Sequence, residues 1–161
     1  MSQAWLQENR QVFELTNPLG DQEAPELLAF QLSATFDNSS NRPVIQINGT
    51  AFDPISKVDG VYLRLNRPEG GILDKWVQDR ANEETLEFSN QIPLTTEFQQ
   101  GAYEVGFLRL NDVAENTIHF YMEDIVELGE EFSTELNVYF PGQEEVNKGE
   151  TKVFASGKSD F

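Results

Sequence analysis

The chain has 161 residues, enough for one domain with a hydrophobic core and short for two, and 39% of them are hydrophobic, which argues against global disorder. Lys and Arg number 11 against 28 Asp and Glu, a formal net charge of −17 that repels phosphate backbones and anionic lipid, so no nucleic acid and no membrane insertion are expected. Cys is absent, which excludes disulfides, thiolate metal sites and cysteine nucleophiles.

No run approaches the ~18 consecutive apolar residues of a membrane-spanning helix. The start, Met1 to Arg10, lacks the basic and apolar regions of a signal peptide. An exported form is therefore expected to be a piece of a longer chain, or to carry its signal elsewhere.

Short β segments separated by turn chemistry run along the chain. Val12 to Thr16 alternates Phe with polar residues and stops at Asn17-Pro18-Leu19-Gly20-Asp21. Leu27 to Ser33 is the next candidate strand, ended by the polar run Asp37 to Asn41. Pro43 to Phe52 alternates at Ile45 and Ile47, with Pro at its first position, where a missing donor is tolerated. Val61, Leu63 and Leu65 share one face of a half-buried strand and Tyr62 and Arg64 the other; Arg67-Pro68-Glu69-Gly70-Gly71 closes it. Trp76 and Val77 are placed on a further short strand, and Leu86 to Ile92 on the one after.

From Gly101 the pattern is strongest. Tyr103, Val105 and Phe107 alternate, a loop follows over Asn111 to Asn116, and Ile118 and Phe120 alternate against His119 and Tyr121. Glu123 to Glu131 is the best helical stretch, read as one turn or a loop. Phe132 to Phe140 supplies the last convincing strand, and Thr151 to Ala155 is at most an isolated edge. About seven or eight short strands with turns every ~8–12 residues predict an all-β, antiparallel β-sandwich. Its expected core is Phe30, Leu32, Ile45, Ile47, Val61, Leu63, Leu65, Tyr103, Val105, Phe107, Ile118, Phe120, Leu136 and Val138.

Several motifs occur in a familiar order. Asp21-Gln22-Glu23-Ala24-Pro25-Glu26-Leu27 reads D-x-x-A-P-x-L, Asp53 precedes Ser56 and Asp59-Gly60-Val61, and Pro68-Glu69-Gly70-Gly71 forms a turn. Gly101-Ala102-Tyr103-Glu104-Val105 reads G-x-Y-x-V, Asp112-Val113-Ala114-Glu115-Asn116 reads D-x-A-G-N with Glu in place of Gly, and Leu128-Gly129 precedes Leu136-Asn137-Val138. In this order the motifs resemble the bacterial Ig-like tandem repeats of large exported surface proteins, adhesins and extracellular hydrolases, over about residues 24 to 140.

The resemblance implies an immunoglobulin-like sandwich over 21–141. It makes 1–20 a lead-in strand or remnant of a preceding repeat, and 142–161 a polar tail or extra edge strand. It further implies an extracellular or surface location, neighbouring repeats of the same chain as partners, and a non-catalytic role in adhesion or spacing. The alternative is an accessory module of an extracellular hydrolase that binds carbohydrate or protein.

Tyr103, two residues after Gly101, is placed to form a tyrosine corner. Asp112 and Asn116 have two readings. Short Asx side chains make turns, or else Asp112 joins Asp21, Glu23 and Asp53 at one pole to hold Ca²⁺, an ion suited by oxygen ligands. An EF-hand loop is absent from the sequence. His119, the single histidine, sits between Ile118 and Phe120 and is expected to face outward, and no hydrolase motif accompanies it. Trp76, Tyr62 and Tyr121, with Tyr139, are candidates for a ligand-stacking platform; the other reading packs Trp76 in the core or at the end of the sandwich.

Overall fold

The computed structural model describes residues 22–142. The expected strands at Val12 to Thr16 and Thr151 to Ala155, the lead-in 1–20, Asp21, and the tail beyond Gly142 lie outside the described residues.

Two antiparallel sheets face each other, and their order is that of an immunoglobulin-like sandwich. The three-stranded sheet is built from β1 (Glu26–Asp37), β2 (Arg42–Phe52) and β5 (Thr85–Pro93), with β2 at its centre. The five-stranded sheet contains β3 (Val58–Asn66), β4 (Ile72–Gln78), β6 (Gly101–Asp112), β7 (Thr117–Tyr121) and β8 (Glu135–Val138). Its order is β4-β3-β6-β7. β7 pairs with Phe107 to Asn111 of β6, and β8 with Gly101 to Glu104. Between β7 and β8 the chain leaves the sheet as helix α1 (Met122–Leu128). Among the described residues no helix is long and apolar enough to cross a membrane.

Local chemistry explains where the strands stop. β1 runs four residues past its expected end, to Asp37, whose carboxylate accepts hydrogen bonds from the Ser39 amide and from the Ser39 and Ser40 hydroxyls at 2.8–3.1 Å. Those donors hold the Asp37 carboxyl below the usual range, the Ser39 hydroxyl chief among them. α1 starts where the Asp124 carboxylate takes the Tyr121 backbone N–H at 2.8 Å, and it buries Ile125.

The inward faces make one core. Phe30, Ile45, Ile47, Leu63 and Leu65 are fully buried, as expected, and each such side chain contributes ~1.5–3 kcal/mol relative to exposure. Gly49 lies in register between Phe30 and Phe88, and its missing side chain leaves the space that the Phe88 ring fills. Tyr103 is 1% exposed, and its hydroxyl donates to the Gln99 carbonyl at 2.6 Å, the tyrosine corner expected from the sequence.

Three core assignments need correction. Phe107 is half-buried on the outer face, because the alternation breaks at Gly106: Leu65 pairs with Val105 but Arg64 pairs with Phe107, leaving Gly106 as the extra residue of a bulge. From there Leu108 and Leu110 point inward and are fully buried. Ile118 and Leu136 are only partly buried, packed against the core from its edge.

Candidate functional site

The bulge at Gly106 decides what the outer face of the five-stranded sheet carries. Past it, Phe107 and Arg109 point outward beside Tyr62 and Arg64, the residues that period two turns away from the core. Across the strands these side chains form two rows. Trp76, Tyr62, Arg109 and His119 are successive partners in one; Asp74, Arg64, Phe107 and Tyr121 are successive partners in the other. Neighbours in a row are ~4.8 Å apart across the sheet and the rows ~7 Å apart along it, so side chains touch in both directions.

The contacts are largely aromatic and cationic. The Tyr62 ring meets Trp76 edge to face at 5.1 Å between centroids and stacks on Phe107 at 6.1 Å. Phe107 in turn meets His119 at 5.2 Å and Tyr121 at 6.2 Å, and His119 stacks on Tyr121 at 6.1 Å. The Arg64 guanidinium lies 5.1 Å from the Phe107 centroid. That of Arg109 lies 4.8 Å from the Tyr62 centroid and 5.2 Å from that of Trp76. Each is within the ~6 Å reach of a cation–π attraction.

One polar knot fixes the edge of the lattice. Arg64 grips Asp74 through two hydrogen bonds of 2.8 and 2.9 Å, and the Tyr62 hydroxyl donates to the same carboxylate at 2.6 Å. The Arg64 bonds come first in holding the Asp74 carboxyl below its ordinary value. The bond to Asp74 raises the Tyr62 phenol, which stays a donor. Gly60 provides room for the indole: a Cβ there would lie 3.1 Å from Cζ3 of Trp76 and 2.7 Å from Oδ1 of Asn111.

Trp76 and Tyr121 remain 47% and 46% exposed, so the lattice is firm beneath and open above. The core-packed reading of Trp76 is thereby corrected: its neighbours Val77 and Leu73 turn toward the core instead. Trp76, Tyr62 and Tyr121 are brought onto one face, as the platform requires. Tyr139 follows the end of β8 and shares none of the ring contacts found among the described residues. The sequence alone does not mark Arg64, Asp74, Phe107, Arg109 or His119 as members of this face. Outward alternation was the available signal for Arg64, while the register that joins the rows is not written in any one strand. The outer face of the other sheet is different in kind: Gln46 bonds Ser89 and Gln91 there, a carpet of amides and hydroxyls that satisfy one another.

The pole proposed for calcium is arranged around turns. Asp53 is 3% exposed, and its Oδ1 accepts the amides of Ile55 and Ser56 at 3.1 and 2.9 Å. Asp112, 1% exposed, accepts the Asn116 backbone amide on Oδ1 and the Asn116 side chain on Oδ2. Glu23 is exposed. Oδ2 of Asp53 is buried without a hydrogen-bond partner, but among the described residues no three His, Cys, Asp or Glu side chains gather in a metal-holding group.

No family model matches the chain, and neither a curated protein nor a solved structure matches it.

Proposed function

We propose that the chain is a non-catalytic, immunoglobulin-like binding module of a secreted or surface-displayed bacterial protein. It acts in adhesion through the outer face of the five-stranded sheet, and the ligand held there is a glycan. The observation that carries this reading is the paired-row lattice, in which Trp76 and Tyr121 stay half exposed while their neighbours pin them in place.

Sugars present apolar C–H faces flanked by hydroxyls. Fixed aromatic rings cover the former, while Arg, Asp and His groups beside them bond the latter. The size of the lattice supports a small ligand. Its outermost Cα atoms span about 14 Å by 7 Å, far below the ~800 Å² per partner of a standard protein interface. Rings that are already packed lose little freedom on binding. A catalytic role for His119 finds no support in its surroundings, since the ring is exposed and lies against Phe107 and Tyr121.

A panel of plant, marine and bacterial polysaccharides, run in affinity gels against the purified chain, tests the reading. Binding to one or more is expected. Trp76→Ala and Tyr121→Ala should each weaken it by roughly tenfold or more without lowering the melting temperature appreciably. Retention of no glycan by a folded chain would overturn the reading.

A second, compatible role as a spacer is favoured by a clasp between the ends of the fold. The segment after α1 crosses to the edge of β1: the Ser133 amide donates to the Phe30 carbonyl at 2.9 Å, the Leu32 amide to Oγ of Ser133 at 3.0 Å, and Gln31 to the Glu131 carbonyl. Force applied between neighbouring domains of an array would load this clasp, and Ser133→Ala should lower the unfolding force in single-molecule pulling. An unchanged force would remove the clasp from the account.

A further inference from the structure

We propose that the binding face selects sugars that carry a carboxylate, and that Arg109 is the residue that takes it; this rests on the glycan-binding reading above. The two guanidinium groups of the lattice differ in one respect. Among the described residues, Arg64 pairs with Asp74 and Arg80 with Asp79, whereas Arg109 stands in neither pair. Arg42 and Arg67 also form no ion pair among the described residues, but neither belongs to the two rows, so Arg109 is the lattice guanidinium left without an acid.

Its setting suits an anion. Arg109 is half-buried, and its guanidinium lies against the rings of Tyr62 and Trp76, which orient it without supplying negative charge. Strand pairing places His119 on its other side. The only carboxylate within the two rows, Asp74, is already gripped by Arg64 and Tyr62. The donors of Arg109 are thus left for a ligand, and a planar fork matches a carboxylate with two parallel bonds. One unpaired cation fits one carboxylate. A dense polyanion would instead meet the field of a chain whose formal charge is −17. The screening length of ~8 Å at physiological ionic strength confines distant acidic residues to a weak role at this point.

Matched sugar pairs that differ in the charge test the inference by calorimetric titration. Sialyllactose against lactose presents a terminal carboxylate; trigalacturonate against its methyl ester presents carboxylates along a chain. The expected result is tighter binding of the acidic member of at least one pair, and the pair that discriminates tells a terminal acid from an in-chain one. Arg109→Gln should cost the acidic member roughly ten- to a hundredfold more than it costs the neutral one, which shares only the loss of a hydroxyl donor and of the guanidinium packed on Tyr62 and Trp76. Arg109→Lys, which keeps the charge and loses the fork, should fall between. Equal binding of acid and neutral partner by the unaltered chain overturns the inference and leaves the glycan-binding reading standing, a comparison that needs no variant to fold. An acid preference that survives Arg109→Gln in a folded chain overturns the role of Arg109. Binding of no sugar in either pair or in the polysaccharide panel overturns both.

Discussion

Arg64 and Asp74 face each other across β3 and β4 as a two-pronged pair, Nε to Oδ1 at 2.8 Å and Nη2 to Oδ2 at 2.9 Å, with side chains 35% and 30% exposed. Because the folded pKa of Asp74 is depressed, the pair contributes stability above the unfolded carboxylate value of ~3.9 and loses it as pH falls through the lower folded one. Asp74→Asn should therefore lower the melting temperature at neutral pH, and the difference from the unaltered chain should close as both are acidified through that window. A difference that persists at the acid end would mean that the carboxylate charge is not what matters. Thermal melts across a pH series measure it.

The tyrosine corner makes a separable claim about the fold. The Tyr103 hydroxyl bonds one carbonyl while its ring fills the core, so Tyr103→Phe should cost about 1 kcal/mol and Tyr103→Ala about 3–5 kcal/mol. Urea unfolding with an unchanged m-value is the measurement. Sugar binding by the folded Tyr103→Phe protein should be unaltered, since Tyr103 points away from the lattice.

Among the described glycines, Gly49 leaves the least room for a side chain. A Cβ there would lie 2.2 Å from Cζ of Phe88 and 2.5 Å from the Ala29 carbonyl oxygen. Gly49→Ala should cost about 3 kcal/mol, the upper part of the range for overpacking, because one obstacle is backbone and cannot turn aside. Combining it with Phe88→Leu should cost less than the sum of the two single changes by about 1 kcal/mol. Simple additivity in urea melts would show that the ring is not the obstacle.

Most strands were legible because period-two alternation survives wherever one face is buried, as at Ile45 and Ile47 or Val61 to Leu65. Alternation misled at Phe107 for a specific reason. Tyr103, Val105 and Phe107 read as one face, but a bulged residue shifts everything after it by one position, and Gly106 carries no side chain to announce the shift. The platform residues Trp76, Tyr62 and Tyr121 were legible as outward aromatics. Their assembly with Arg109 and His119 was not, since it depends on the pairing of four strands and no local pattern encodes that register. The long-range clasp from Ser133 to β1 was hidden for the same reason.

The loop between β6 and β7 supplies the last test, and it concerns a side chain held in a left-handed conformation. Glu115, in the segment Asp112 to Asn116, adopts a φ of 72°. The turn is closed by the Glu115 amide donating to the Asp112 carbonyl at 3.0 Å, with the left-handed residue directly after the tight turn, a geometry that favours glycine. A side chain in that conformation costs roughly 1–2 kcal/mol. Glycine removes the cost but adds freedom to the unfolded chain, worth roughly 0.4–1 kcal/mol in the other direction. The balance favours Glu115→Gly by about 0.5–1 kcal/mol, whereas Glu115→Ala, which keeps a Cβ, should bring no such gain. Asp112 and Asn116 keep their mutual hydrogen bonds in either variant, so a rise in the urea midpoint for Gly alone isolates the backbone effect. Equal stabilisation by Ala would trace the gain to removing a negative charge from a chain of formal charge −17, and a loss with Gly would mean that the loop is not strained at all.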